Sequence, residues 1–218
     1  MTNIQKNKIS ILDGAMGSEL ILRGEVLPPH IWSAKVNLSK PNLILDIHKE
    51  HIKAGSNFIT ANTFRTTPRA YRKTGLSNIK AYKMAKRSLT SAVNIAKVAA
   101  NHSVKILGSI APLEDCYSPE IYPGAEIAKE EFTLFTNWLN DAGIDGFILE
   151  TMNNIQETTI CLEVIKKFKL PVWVSFNLLN SSHIKSGEKL KEAIKITSKF
   201  DVECILLNCN PIQRTRKS

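Results

Sequence analysis

Six apolar runs in this 218-residue sequence end in residues that can do chemistry. Asp13 closes "KISILD", Asn62-Thr63 follow "SNFITA", and Ser109 follows "VKILG". Glu150-Thr151 follow "DGFIL", Ser175 and Asn177 sit in "VWVSFN", and Asn208-Cys209 follow "VECILL". A carboxylate at the end of a buried strand is costly unless paired, which points Glu150 toward function. Asp13-Gly14 reads equally as a turn that caps the next helix and as part of a site. Asn62 and Thr63 serve a pocket or simply satisfy backbone groups where a strand ends. Cys209 either packs as a small hydrophobe or presents a thiol to the mouth of its strand. Cys161 and Cys204 read as core residues. Cys116 and His183 lie in loops on the same side as the strand ends, and His48 and His51 fall within a helix expected to face solvent.

The elements that must position these groups alternate along the chain. "AMGSELILRG" is helix-like, and a second helix is expected from Ser39 as N-cap, with Pro41 in its first turn, to Gly55. Apolar residues at helical spacing predict helices from Asn78 to about Ala100, from Gly124 to Gly143, behind "DGFILET", and from about Glu188 to Phe200. The strands are continuous apolar runs, as expected for a parallel sheet covered on both faces. Strict β-α alternation allows a doubly wound sheet or a (β/α)8 barrel. A Rossmann fingerprint and a P-loop are absent, and polar groups end nearly every strand. A barrel gathers such ends around one mouth, so a single-domain (β/α)8 TIM barrel is the expected fold.

The formal charge of +9 raises the question of nucleic acid. The lysines scatter along the helices between apolar positions, the pattern of solvated outer faces, so no nucleic-acid partner is expected. No apolar stretch approaches a membrane span, and the first ten residues have no apolar signal region. A cytoplasmic protein with reduced thiols is expected.

Taken in order, "LDGAMGSEL", the Trp32 of "HIWSA", "KPNLILDIHKEHIKAGSNFITANTF", "LGSIAP", "LETMNNIQE", "VWVSF" and "LLNC" resemble the homocysteine S-methyltransferase family. That family includes betaine–homocysteine methyltransferase, S-methylmethionine-dependent enzymes and the homocysteine module of cobalamin-dependent methionine synthase. The resemblance implies a zinc-dependent barrel that accepts homocysteine and a methyl donor and makes methionine. It implies three cysteine ligands to zinc, of which Cys209 matches the first. A substrate thiol on zinc is held as thiolate near neutral pH. By the same resemblance Asp13 and Glu150 hold the amino acid end of homocysteine. Trp32 lies near the donor, Thr63 and Phe64 line the pocket, and Asn208 precedes the ligand.

The sequence departs from the family pattern in two respects, its zinc ligands and its number of β/α units. The other two zinc ligands form a Cys-Cys pair in a "GGCC" segment, and no Cys-Cys pair occurs here. About six β/α units are expected, an incomplete barrel with its zinc site unfinished. A second chain or a missing C-terminal segment would complete it. The alternative expectation is a non-catalytic remnant, an amino acid-binding pseudoenzyme without zinc chemistry.

Overall fold

The computed structural model describes residues 9–218. The chain runs through α1 (Met16–Leu22), a 3-10 turn at Trp32–Lys35, α2 (Val36–Ser39), α3 (Pro41–Lys53), β1 (Phe58–Ala61), α4 (Pro68–Arg72) and α5 (Asn78–Ala100). It continues through β2 (Lys105–Ile110), α6 (Ala125–Ala142), β3 (Gly146–Met152), α7 (Ile155–Ile165) and β4 (Val172–Phe176). The hairpin β5 (Leu178–Asn180) and β6 (His183–Ile184), α8 (Leu190–Thr197), β7 (Cys204–Leu207) and α9 (Ile212–Thr215) complete it.

Five strands form one parallel sheet in the order β1-β2-β3-β4-β7. The order follows the sequence without reversal, as in a barrel and unlike a doubly wound sheet. The expected first strand is reduced to a single parallel bridge, Leu12 to Phe58, with the Asp13 N–H donating to the Phe58 carbonyl. Among the described residues this segment pairs with β1 alone. The hairpin β5-β6 was not expected; it folds antiparallel within the loop after β4.

The helices form where the apolar spacing placed them, and local chemistry ends them. α6 stops at Gly143, whose φ of 78° is left-handed and whose N–H donates to the Asn140 carbonyl. Ser39 is not the N-cap of α3. It is the last residue of α2, with its hydroxyl donating to the Lys35 carbonyl, and Lys40 takes the cap position before Pro41. α8 is shorter than expected at both ends: it starts after Lys189, extended at ψ 130°, as N-cap, and it ends at Thr197 rather than Phe200.

The two faces of the sheet differ. Ile59, Ala61, Ile106, Ile110, Phe147, Leu149, Val172, Val174 and Phe176 pack with α5, α6 and α7 into the main core. The opposite face holds a second cluster of Leu107, Ile148 and Trp173, with Leu12, Phe58, Cys204 and Leu206 against it. Side chains two residues apart share a face. The next layer on this inner face is therefore Thr60, Ser109, Glu150, Ser175 and Asn208, one from each strand or its end. The switch from apolar to polar one layer up places the polar floor of a site at the C-terminal ends of the strands.

Candidate functional site

Asp13 reaches this polar layer from the loop after Leu12. Its Oδ2 accepts the Thr60 N–H at 2.8 Å and its Oδ1 accepts the Thr60 hydroxyl at 2.9 Å. The side chain is only 3% exposed. Burial pushes the carboxyl up to about 7, the two Thr60 bonds oppose the rise, and the negative charge of Glu150 adds to it. Asp13 and Glu150 therefore act within one electrostatic neighbourhood. Glu150 is also raised above its ordinary value by burial, with the Ser109 hydroxyl beside it pulling the other way. Yet that hydroxyl and the indole N–H of Trp173 make no hydrogen bond with adequate geometry among the described residues. Buried polar groups left open in this way beside two desolvated carboxyls suit a ligand carrying hydrogen-bonding groups.

At the other side of the layer, Asn208 links three strands. Its Oδ1 accepts from the Thr151 N–H at 3.0 Å and from the Ser175 hydroxyl at 2.8 Å, and its Nδ2 donates to Thr151 Oγ1 at 3.0 Å. Cys209 follows with φ 53°, and Thr151 sits at φ 59°. Left-handed backbone is costly for a β-branched residue and recurs at functional sites. The Cys209 thiol is exposed and meets Thr151 Oγ1 at 3.7 Å and Asn208 Nδ2 at 3.6 Å. The Asn177 amide donates to the Cys209 carbonyl at 2.9 Å.

Trp32 stands at φ 44° and is 37% exposed, with its indole packed on Gly17 so closely that a Cβ there would lie 2.4 Å from Nε1. Thr63 is fully buried, and its hydroxyl donates to the Ser109 carbonyl at 2.8 Å, tying the end of β1 to β2. Phe64 is half-buried under the Arg65 guanidinium, 5.2 Å from the ring centroid. Asn62 is bound into a buried network with Ser33, Asn37 and, through Asn37, Ser88. It holds the Trp32 turn against α5 and β1.

The loop after β2 brings Cys116 and Tyr117 toward Cys209. Burial raises the Tyr117 hydroxyl to about 12, helped by the neighbouring Cys209 and Cys116 thiols, and burial raises the Cys116 thiol to about 11. Tyr117 escaped sequence reasoning because nothing in "APLEDCYSPE" gives its direction. His183 is tied locally, its Nδ1 within 2.9 Å of Ser182 Oγ and 3.0 Å of Asn180 Oδ1. The expectation of a solvent-facing His48 is corrected: His48 is fully buried, with Nδ1 4.0 Å from Asp13 Oδ2. The signal was available, since Ile44, Ile47, His48 and His51 follow the i, i+3, i+4, i+7 spacing of a buried stripe.

A three-thiolate zinc set does not fit the residues present. Among the described residues no group of three or more His, Cys, Asp or Glu converges so as to hold a metal ion. Cys209 offers one exposed thiol and Cys116 is a buried, proton-retaining one. No helix of the described residues is long and apolar enough to cross a membrane.

The family profile described as Homocysteine S-methyltransferase matches residues 10–218. The homocysteine S-methyltransferase of Escherichia coli strain K12 is 28% identical over 229 residues, covering 97% of this chain and 73% of its own. Homocysteine S-methyltransferase 2 of Zea mays is 28% identical, covering 92% of this chain and 66% of its own. The chain thus spans only part of the length of these relatives. The crystal structure of the homocysteine methyltransferase MmuM from Escherichia coli, in its metallated form, superposes with a TM-score of 0.85 at 26% identity. That match covers 96% of this chain and 77% of the other.

Proposed function

Because the chain belongs to the homocysteine S-methyltransferase family, we propose that it forms the homocysteine-holding part of an enzyme that transfers a methyl group to homocysteine sulfur, giving methionine. The observation that carries this reading is the pair of desolvated carboxyls, Asp13 and Glu150, in one polar layer at the strand ends. An ammonium group arriving there restores both carboxylates and receives charge-assisted hydrogen bonds. In this reading Trp32, Thr63 and Phe64 line the pocket above the layer. The acceptor sulfur, as thiolate, attacks the donor's methyl carbon as the bond from that carbon to the donor heteroatom breaks. In-line placement is the main demand on the protein.

In this reading Cys209 supplies one thiolate to zinc, held in place by Asn208, and the remaining donors come from a further segment or a second chain. A second reading rests on the lack of a three-donor group among the described residues. In that reading the chain binds an amino acid and performs no metal chemistry.

Calorimetric titration with homocysteine and with 4-mercaptobutyrate, which lacks the amine, tests the amine site. The chain is expected to prefer homocysteine, and Asp13→Asn and Glu150→Gln are expected to erase the preference. Equal affinity for both ligands in the unmutated chain would remove the carboxyl pair from the site.

A further inference from the structure

His48 lies on the inner side of α3 with no exposed surface, and neither ring nitrogen has a hydrogen-bond partner among the described residues. Two orphaned nitrogens on one fully buried side chain call for an explanation. The nearest charged group is Asp13, whose Oδ2 lies 4.0 Å from Nδ1, just beyond hydrogen-bond length. Oδ2 already accepts the Thr60 N–H, but a carboxylate oxygen has room for a second donor. We infer that His48 is the positioning residue of Asp13: when an ammonium group occupies the site, the His48 Nδ1–H closes on Oδ2 and fixes the carboxylate from behind. The inference rests on the amine-binding role proposed for Asp13.

The protonation state of the imidazole suits this task. Burial, helped by the neighbouring His51, lowers His48 to about 4, so near neutral pH the ring is uncharged and has one N–H to give. A neutral donor orients the carboxylate and leaves its full negative charge for the ligand. A lysine or an imidazolium in the same place would neutralise that charge and compete with the ligand.

The other titratable groups around the pair are few. Glu150 acts on Asp13 from β3, and His51 acts on His48 from the next turn of α3. β1 and α2 contain no titratable side chain. The basic residues of α5 are all exposed, and Arg23 and Glu50 pair at the outer surface of α1 and α3.

The test uses the purified chain and two readouts: Asp13 titration by carboxyl carbon NMR, and homocysteine affinity from pH 5 to 8. His48→Phe keeps a ring without a donor, whereas His48→Asn puts an amide N–H near the position of Nδ1. In His48→Phe the Asp13 midpoint with homocysteine bound is expected to rise by about one unit, a tenfold change in proton affinity. Homocysteine affinity at pH 7 should fall about tenfold, as for loss of a hydrogen bond to a charged group. His48→Asn should restore both. If circular dichroism shows that His48→Phe does not fold, the comparison passes to His48→Gln, whose donor sits near Nε2 and should fail where Asn succeeds. Identical Asp13 titration across the folded variants and the unmutated chain overturns the inference. Asp13→Asn separates the two ideas. Unchanged homocysteine affinity in that variant removes the amine role, whereas a lowered affinity together with an Asp13 titration in the bound state that is the same in His48→Phe and the unmutated chain removes the His48 contact alone.

Discussion

Asn208 grips Thr151 from both sides, accepting its backbone N–H and donating to its hydroxyl, each at 3.0 Å. The residue held this way is β-branched and sits at φ 59°, a conformation that persists only when its surroundings enforce it. The same amide oxygen takes the Ser175 hydroxyl, so one side chain joins the ends of β3, β4 and β7. Asn208→Ala is expected to lower stability by about 2–3 kcal/mol, from three lost hydrogen bonds at roughly 1 kcal/mol each. Urea unfolding measures it. A loss below about 0.5 kcal/mol, the range of an ordinary surface substitution, would mean that Thr151 holds its conformation unaided.

Asp13 and Glu157 stand at about 7 in the folded chain, against ordinary values of 3.8 and 4.5, and burial is the main cause for both. Glu157 is held by the Leu113 N–H at 2.7 Å and the Asn154 amide at 3.2 Å, which only partly offset that burial. Between about pH 4 and 7 the folded chain keeps protons that the unfolded chain has released. Stability therefore falls as pH rises through this window and is lowest above it. Asp13→Asn removes one of these contributions, so the variant should gain on the unmutated chain by about 2–4 kcal/mol between pH 4 and pH 8, at roughly 1.4 kcal/mol per unit. Urea melts across this range check it, and a difference that does not change with pH would refute the assignment. Homocysteine should reverse the trend, because its ammonium stabilises the ionised Asp13. Its protective effect should grow from pH 5 to 8.

The long helices were legible because local signals agree with the packing. The repeat Ala85, Leu89, Ala92, Val93, Ala96 marks the buried face of α5, and Gly143 ends α6 with a left-handed turn. The ends of the strands were legible for a similar reason, since an apolar run that turns polar after its last inward residue shows where a mouth begins. Reduction of the first strand to one bridge at Leu12 was not legible, because the number of neighbours a strand finds is not a property of its own residues. The Asn62 network joins residues 25 to 51 positions apart, and no local pattern announces such partners. His48 was misplaced by its polarity alone, although its spacing with Ile44 and Ile47 puts it inside.

Gly17 tests the seat of Trp32. An added Cβ would lie 2.4 Å from the indole Nε1 and 3.1 Å from Cε2, so the ring has to leave. Alanine is the better helix former by about 1 kcal/mol, so α1 itself should persist. Gly17→Ala is expected to keep the far-ultraviolet dichroism and change the Trp32 emission, isolated by subtracting the spectrum of Trp32→Phe. Unaltered Trp32 emission would show that the indole does not rest on Gly17. If Trp32 borders the methyl donor, the same variant should weaken donor binding more than homocysteine binding.

Cys209 carries the last prediction. Its thiol is exposed, while Cys116 and Cys161 are buried and burial raises both of their thiols. A thiol reagent should therefore show a fast phase that Cys209→Ser removes, with Cys116 and Cys161 silent until unfolding. The metal behaviour follows from the same geometry. A catalytic zinc normally requires three protein ligands, and its affinity depends on their number and arrangement. One thiolate with Thr151 and Asn208 as hydrogen-bond donors can meet zinc, yet it cannot keep the metal against a chelator. The 218-residue chain is expected to lose zinc on dialysis with chelator and to show no methyl transfer by itself. Addition of a segment or chain bearing two further thiolates should restore both, and Cys209→Ser should abolish that rescue. Stoichiometric zinc retained by the isolated chain would require donors drawn from elsewhere, and Cys116, which adjoins Cys209, and then His183 would be the first to replace.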